Sequence, residues 1–522
     1  MSAVATSINI SALTPSPKPI NENVVVGKDI LDLLAGSMYV DPLNVYREYL
    51  QNAADSIDQA RDADLDFEEE AGVQIFFDHA ERNIRIRDNG ISIPFSEFIQ
   101  RIVTVGASQK RGKNLRGFRG VGRLSGLGYC QELIFRGRAE GNPKVTEIRW
   151  DGRALKTKYR DQNYNGSLAD IVKEVTTVTL LPSLGFPSRF FEVELRKVSR
   201  LKNDILLNEE VVRSYISQIA PVQFKETFEF KDRINTWIES FGIKPTIKIE
   251  LMDDKGPIFH RVENSIEFSS QQSDKIRDVA LFRLLDSEGE VCACGWIADH
   301  SYSGSIPKRL GLGGVRLRSG NIQVGDETIL SPLFPESRFS GWAIGDIHVV
   351  SPKILPNGRR DDFEPSPAYS HLQSELVIKT REISQRIRDR SANRNKLRAV
   401  DQKIELVSSW VLLDGDTELP SLIREILVEL SVEKIGLAKK ELLKLDPDGI
   451  EFKSAETRLN KVEASANSVL LRKMRNTSIK TLTPEFKKPI VAALKTIIAA
   501  AKTPNAGIQL SLDVLKVIEK EI

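Results

Sequence analysis

Apolar and polar positions change their period along the chain. Residues 28–35 suggest a short helix. From 41 to about 61 apolar residues recur every three or four positions, after Asp41-Pro42, an N-cap followed by a first-turn proline, so a longer helix is expected. Residues 73–78 and 84–88 alternate, as two strands joined by a polar turn do. A helix is expected over 94–104, a glycine-rich loop leading into a helix over 106–128, and strands over 131–137, 145–150 and 175–180. A second part opens with helical spacing over 209–219. It continues with strands over 247–251, 291–297, 314–317 and 344–350, then a long basic helix from 369 to about 398. Beyond 401, Leu419, Ile423, Ile426, Leu427 and Leu430 trace one apolar stripe, and 491–501 and 510–521 add further helices.

These periods predict an α+β chain: a loose arm at 1–20 containing three prolines, mixed domains at 21–200 and 201–395, and a helical region at 396–522. At 522 residues the chain exceeds one ordinary core. An apolar fraction of 41% describes a globular protein, and a formal net charge of +2 does not by itself point to nucleic acid. Charge is uneven locally: residues 110–123 hold six basic side chains and no acidic one. Cys130, Cys292 and Cys294 form neither a disulfide framework nor a zinc motif, so a reducing compartment is expected. The alternating Cys292-x-Cys294 pair reads as strand core. No stretch is apolar enough to span a membrane, and residues 1–22 lack the basic and apolar regions of a secretory signal. A cytoplasmic protein is expected.

Three polar blocks interrupt this pattern. Glu48, Asn52 and Asp55 sit at i, i+4 and i+7 of the first long helix, within an arc of roughly 60°. A hydrated helix face is the ordinary reading, but asparagine is a poor interior helix residue. A carboxylate one turn before an amide can orient water while the amide oxygen holds a divalent ion. Asp88-Asn89-Gly90 ends a strand; it fits a routine turn, or an aspartate accepting from an adenine amino group. Gly106, Gly112, Gly117, Gly120, Gly122, Gly126 and Gly128 then fall among basic side chains, suiting backbone N–H groups turned toward phosphates or a flexible loop on nucleic acid. Neither Walker nor Rossmann spacing fits.

Over about residues 28–182 the chain resembles the GHKL, or Bergerat-fold, ATPases: the ninety-kilodalton heat-shock chaperones, topoisomerase and mismatch-repair ATPases, microrchidia ATPases and sensor histidine kinases. Their Glu-x-x-x-Asn-Ala-x-Asp box is matched by Glu48, Asn52, Ala53 and Asp55. The resemblance implies a Bergerat-fold α/β sandwich using ATP and Mg2+, with Glu48 as general base and Asn52 as magnesium ligand. It implies that Asp88 reads adenine with Gly90 in the same box, that Gly117, Gly120, Gly122 and Ser125 form the phosphate box, and that Gly106 opens a lid. Thr177 is expected to support adenine through water. Ser92 replaces the second glycine of the Asp-x-Gly-x-Gly box, where serine does not enter a positive-φ conformation cheaply, so a different geometry is expected there. Arg119 and Arg123 replace positions that are often apolar in the chaperones.

Residues 354–364 carry Arg359 and Arg360 in a polar loop, which fits a salt-bridged structural loop. It also resembles the chaperone middle-domain loop that sends an arginine to the γ-phosphate, with Arg360 the better match. The resemblance implies a homodimer rearranged by ATP hydrolysis in a chaperone-like or scaffold protein, with a protein client or partner subunit. The competing expectations are a DNA-associated ATPase and a non-hydrolysing ATP-gated module. Nucleic acid would use the glycine-rich loop and Arg381, Arg386, Arg388, Arg390, Arg394, Lys396 and Arg398. None of the five histidines opens the His-Glu segment of a phosphoacceptor helix.

Overall fold

The computed structural model describes residues 41–105, 122–161, 164, 166–201, 203–416, 419–445, 447, 450–474 and 484–521. The expected arm at 1–20, the helix at 28–35, Arg119 and four of the singled-out glycines, Gly106, Gly112, Gly117 and Gly120, lie outside them. Helix α1 (Asn44–Asp62) begins where Asp41 turns the chain, its Oδ1 accepting from the Leu43 N–H at 3.0 Å. Tyr46, Leu50, Ala53 and Ile57 recur at helical spacing and are buried. The polar side is buried too: Arg47, Glu48, Gln51, Asp55 and Asp58 are all shielded from solvent. The hydrated face ordinary for such residues is not present.

The first layer under α1 is a sheet built from β1 (Gly72–Asp78), β2 (Asn83–Asp88), β3 (Glu132–Arg138), β4 (Lys144–Asp151), β5 (Thr176–Pro182), β6 (Phe190–Arg196) and β7 (Lys248–Leu251). Its order is β5-β4-β3-β6-β2-β1-β7, antiparallel throughout except for the parallel pair β1–β7. Helices α2 (Phe95–Val103), α3 (Gly152–Arg160), α4 (Leu168–Val175) and α5 (Glu209–Ile219) complete the unit. Inward residues Ile84, Ile86, Leu133, Phe135, Val193 and Leu195 join α1 in one core.

The expected division near residue 200 does not coincide with a break in this sheet, because α5 and β7 belong to its core. Between them the chain makes an excursion through α6 (Lys231–Glu239). Phe224, Phe228, Ile234 and Ile238 leave the first core and bury against Ile276, Val279 and Trp296 of the next unit.

That next unit holds a hairpin, β8 (Ser265–Ser269) with β9 (Gln272–Lys275), and a five-stranded sheet. The sheet comprises β10 (Asp278–Leu285), β11 (Val291–Asp299), β12 (Gly314–Ser319), β13 (Ile322–Val324) and β14 (Ile344–Val349), ordered β10-β11-β14-β12-β13. Cys292 and Cys294 lie buried and unpaired on β11, as does Cys130 in the first core.

Helix α7 (Pro367–Asp416) runs 50 residues without a break across the expected boundary at 396. With α8 (Ser421–Leu442), α9 (Ile450–Met474), α10 (Pro484–Ala500) and α11 (Pro504–Glu521) it encloses a separate helical core, into which the Leu419–Leu430 stripe points. The architecture is thus an α/β sandwich, a second α/β unit and a helical C-terminal region. Among the described residues no helix is long and apolar enough to cross a membrane.

Candidate functional site

The polar side of α1 meets a loop from the second unit. Arg360 Nε donates to Glu48 Oε1 at 3.0 Å, and both side chains are about nine-tenths buried. One residue earlier on α1, Arg47 donates through Nη2 to the Arg359 carbonyl at 3.0 Å and through Nη1 to the Arg360 carbonyl at 3.3 Å. The loop is a tight turn: Pro356 bridges Phe363, the Asn357 N–H reaches the Asp362 carbonyl at 2.8 Å, and Arg360 adopts a left-handed φ of 56°. A non-glycine residue is held there only by surrounding contacts. Among those contacts are Glu48, Arg47 and the Gly325 N–H, which donates to the Arg360 carbonyl at 2.9 Å. Arg359 points elsewhere, 61% exposed and paired with Asp361.

The other Glu48 oxygen faces the glycine-rich segment. A Cβ added at Gly122 would lie 2.0 Å from Glu48 Oε2, so any larger residue there must displace the carboxylate. Residues Gly122–Gly128 form a 3-10 turn tied to α1 by Tyr49, whose hydroxyl accepts from the Gly126 N–H at 3.0 Å and donates to the Arg123 carbonyl at 3.1 Å. Ser125 is fully buried in this turn, and its hydroxyl has no hydrogen-bond partner among the described residues. Burial lowers the Arg123 guanidinium to about 10, and Arg123 donates to the Thr104 carbonyl, which is not the behaviour of a solvated surface residue. Asn52 stands one turn from Glu48, half-buried, and Asp55 is fully buried below it.

Asp88 ends β2, buried, with Oδ1 accepting from the Gly90 N–H at 3.0 Å. Gly90 presses on α1: a Cβ there would come within 2.5 Å of the Ser56 carbonyl carbon, and the following Ile91 N–H donates to the Ser56 carbonyl. Ser92 corrects one expectation. It adopts a left-handed φ of 61°, with its Oγ donating to the Phe190 carbonyl at 2.8 Å. That local hydrogen bond offsets the cost of positive φ and keeps the backbone path a glycine would take.

The structure does not bring Thr177 to this group. It lies exposed on edge strand β5, with β4, β3 and β6 between it and β2. The residue opposite Asp88 is Phe191 on β6, which also touches Phe98 and Phe135. Strand β6 was absent from the sequence expectation, although Val193 and Leu195 alternate with Glu192 and Glu194. Arg47 and Tyr49 were missed as well; only their places beside Glu48 marked them.

The arrangement therefore gathers a buried carboxylate, a half-buried amide, a glycine turn with a buried serine hydroxyl, and an arginine from a second unit. Comparison with known proteins adds relatives to this geometry. The chain is 31% identical over 139 residues to chaperone protein HtpG of Polaromonas naphthalenivorans (strain CJ2), which covers 23% of this chain and 22% of that protein. It is 28% identical over 205 residues to chaperone protein HtpG of Yersinia pestis, covering 35% and 32%. The HtpG of Verminephrobacter eiseniae (strain EF01-2) is 30% identical over 139 residues, covering 23% and 21%. The likeness is to HtpG chaperones. These matches link the chain to the chaperone-like GHKL family while spanning about a fifth to a third of the length of the curated relatives. No family model matches the chain.

Proposed function

We propose that the chain binds and hydrolyses magnesium-ATP, and that hydrolysis drives a chaperone-like or scaffold cycle in a homodimer acting on a protein client or partner subunit. The observation that carries this reading is the Glu48–Arg360 pair, which joins the polar face of α1 to the second unit. Glu48 would take a proton from the attacking water. Arg360 would turn from the Glu48 carboxylate toward the terminal phosphate and offset charge there. Arg47 would keep the loop seated while this happens.

The residues fit the ligands in kind. The Ser125 hydroxyl, which has no hydrogen-bond partner among the described residues, would be a donor for a phosphate oxygen. Asp88 would accept from the adenine amino group and Asp55 would support the pocket floor. Gly117 and Gly120 as further residues of the phosphate box, and Gly106 as the start of a lid, complete the proposal. Among the described residues no three His, Cys, Asp or Glu side chains gather to hold a metal, so the Asn52 carboxamide oxygen would be the protein's ligand to magnesium. Magnesium held there would supply positive charge against the phosphate oxygens.

A DNA-associated reading draws on the basic residues of α7, but their contacts favour docking. Arg388 pairs with Glu336 at 3.1 Å, Arg390 with Asp299 at 2.7 Å, and Arg394 donates to the Ser301 and Tyr302 carbonyls. Calorimetric titration of ATP with and without magnesium tests the site. Asp88→Ala is expected to abolish binding, and Asn52→Ala to remove its magnesium-dependent part. Unchanged binding in both variants would refute this assignment.

A further inference from the structure

We infer that Arg318 is a positioning residue for the site, gripping the end of α5 so that Arg360 meets Glu48 in a fixed inter-unit arrangement. This rests on the ATPase reading for its consequence, but not for its geometry. The last turn of α5 carries no basic residue, so its free carbonyls and negative helix end lack a local partner. The second unit supplies one. Arg318 Nη2 donates to the Gln218 carbonyl at 2.8 Å, Arg316 Nη2 to Gln218 Oε1 at 3.1 Å, and Arg261 Nε to Ser217 Oγ at 2.7 Å. Asp346 fixes Arg318 through an Nε–Oδ1 contact of 2.7 Å, and both are almost fully buried.

The grip connects the two halves of the candidate site. On one side, Tyr215 of α5 donates its hydroxyl hydrogen to Asn44 Oδ1 at 2.9 Å, and Asn44 opens α1 one turn before Glu48. On the other, β12, which carries Arg316 and Arg318, turns directly into β13, and Gly325 just beyond it holds the Arg360 carbonyl. One hairpin thus grips α5 with its first strand and the arginine loop with its end. The excursion at residues 224–243, buried in the second core, closes a second connection between the units. Two such ties oppose the hinge rotation that is the default between domains joined by a single linker.

Spin labels at Lys144→Cys and Gln271→Cys, both exposed and in different units, test the grip with the full chain. Without nucleotide the parent chain is expected to give one narrow distance distribution, unchanged on adding magnesium and a non-hydrolysable ATP analogue. Arg318→Gln should split or broaden it, with Arg318→Lys intermediate. In unlabelled protein Arg318→Gln should lower kcat about tenfold while KM for ATP stays within about twofold, because the effect lies in orientation rather than binding. A broad parent distribution, or one that moves with nucleotide, overturns the inference even if neither variant folds. So does a folded Arg318→Gln whose distribution matches the parent. Absence of hydrolysis in the parent would count against the ATP reading and the kinetic role, while the distances would still decide the grip.

Discussion

The Arg360 guanidinium lies 3.0 Å from the Glu48 carboxylate although 312 residues separate them in the chain. Each is the other's counter-charge in a setting that excludes most water. Removing Arg360 therefore leaves the Glu48 carboxylate buried without its guanidinium partner, at a cost of about 3–5 kcal/mol.

Arg360→Ala is accordingly expected to lose stability of that order in urea denaturation. It should also lower kcat for ATP by about 100-fold or more, while nucleotide affinity changes by less than about threefold. Arg359→Ala, at an exposed position, should change neither. Equal effects from both variants would contradict the assignment of Arg360.

Gly122→Ala places a methyl group against Glu48 Oε2 and should displace the carboxylate, abolishing hydrolysis. Gly436→Ala is its control. That glycine sits in α8 with open space around its Cβ position, so alanine should stabilise by about 0.5–1 kcal/mol in thermal or urea unfolding.

Ser92→Gly should be nearly neutral. Glycine relieves the positive-φ strain of about 1 kcal/mol and gives up a hydrogen bond worth a similar amount. Ser92→Val keeps the strain, adds bulk and loses the hydrogen bond, and is expected to destabilise by about 2 kcal/mol or more. Paired urea melts of the two variants decide this.

Local pattern carried α1, β1 and β2, because each is amphipathic within a few residues and needs no distant partner to be recognised. Glu48, Asn52 and Asp88 were legible for the same reason, as compact motifs on those elements. Strand order was not legible. Thr177 and Phe191 lie on adjoining apolar runs of similar character, and only cross-strand pairing puts β6 beside β2. The excursion through α6 was equally hidden, since Phe228, Ile234 and Ile238 would suit a core of either unit. Arg360 was reached through resemblance, and its φ of 56° depends on contacts that no local sequence specifies.

Stability should fall in mild acid. Burial lowers the His348 imidazole to about 4, against the partial opposing pull of Asp346, and lowers His260 beside it. Burial pushes the Asp346 carboxyl up, but Arg318 and His260 outweigh this and hold it below the usual carboxylate range. Between the ordinary histidine value of 6.5 and about 4 the unfolded chain binds more protons at position 348 than the folded one. Unfolding free energy thus rises with pH across that window, and is lost on acidification by on the order of 3 kcal/mol from His348 alone. Asp346 adds a further loss as pH falls below the ordinary carboxylate range. Urea melts from pH 7 to pH 4 should show the slope, and His348→Gln should flatten it.

The central claim is tested most directly by phosphate release from the parent chain and from Glu48→Ala in magnesium-ATP, with nucleotide binding measured on the same samples. The expected result is release by the parent, and binding without release by Glu48→Ala. Absence of nucleotide binding in both, or equal release from both, would contradict the account.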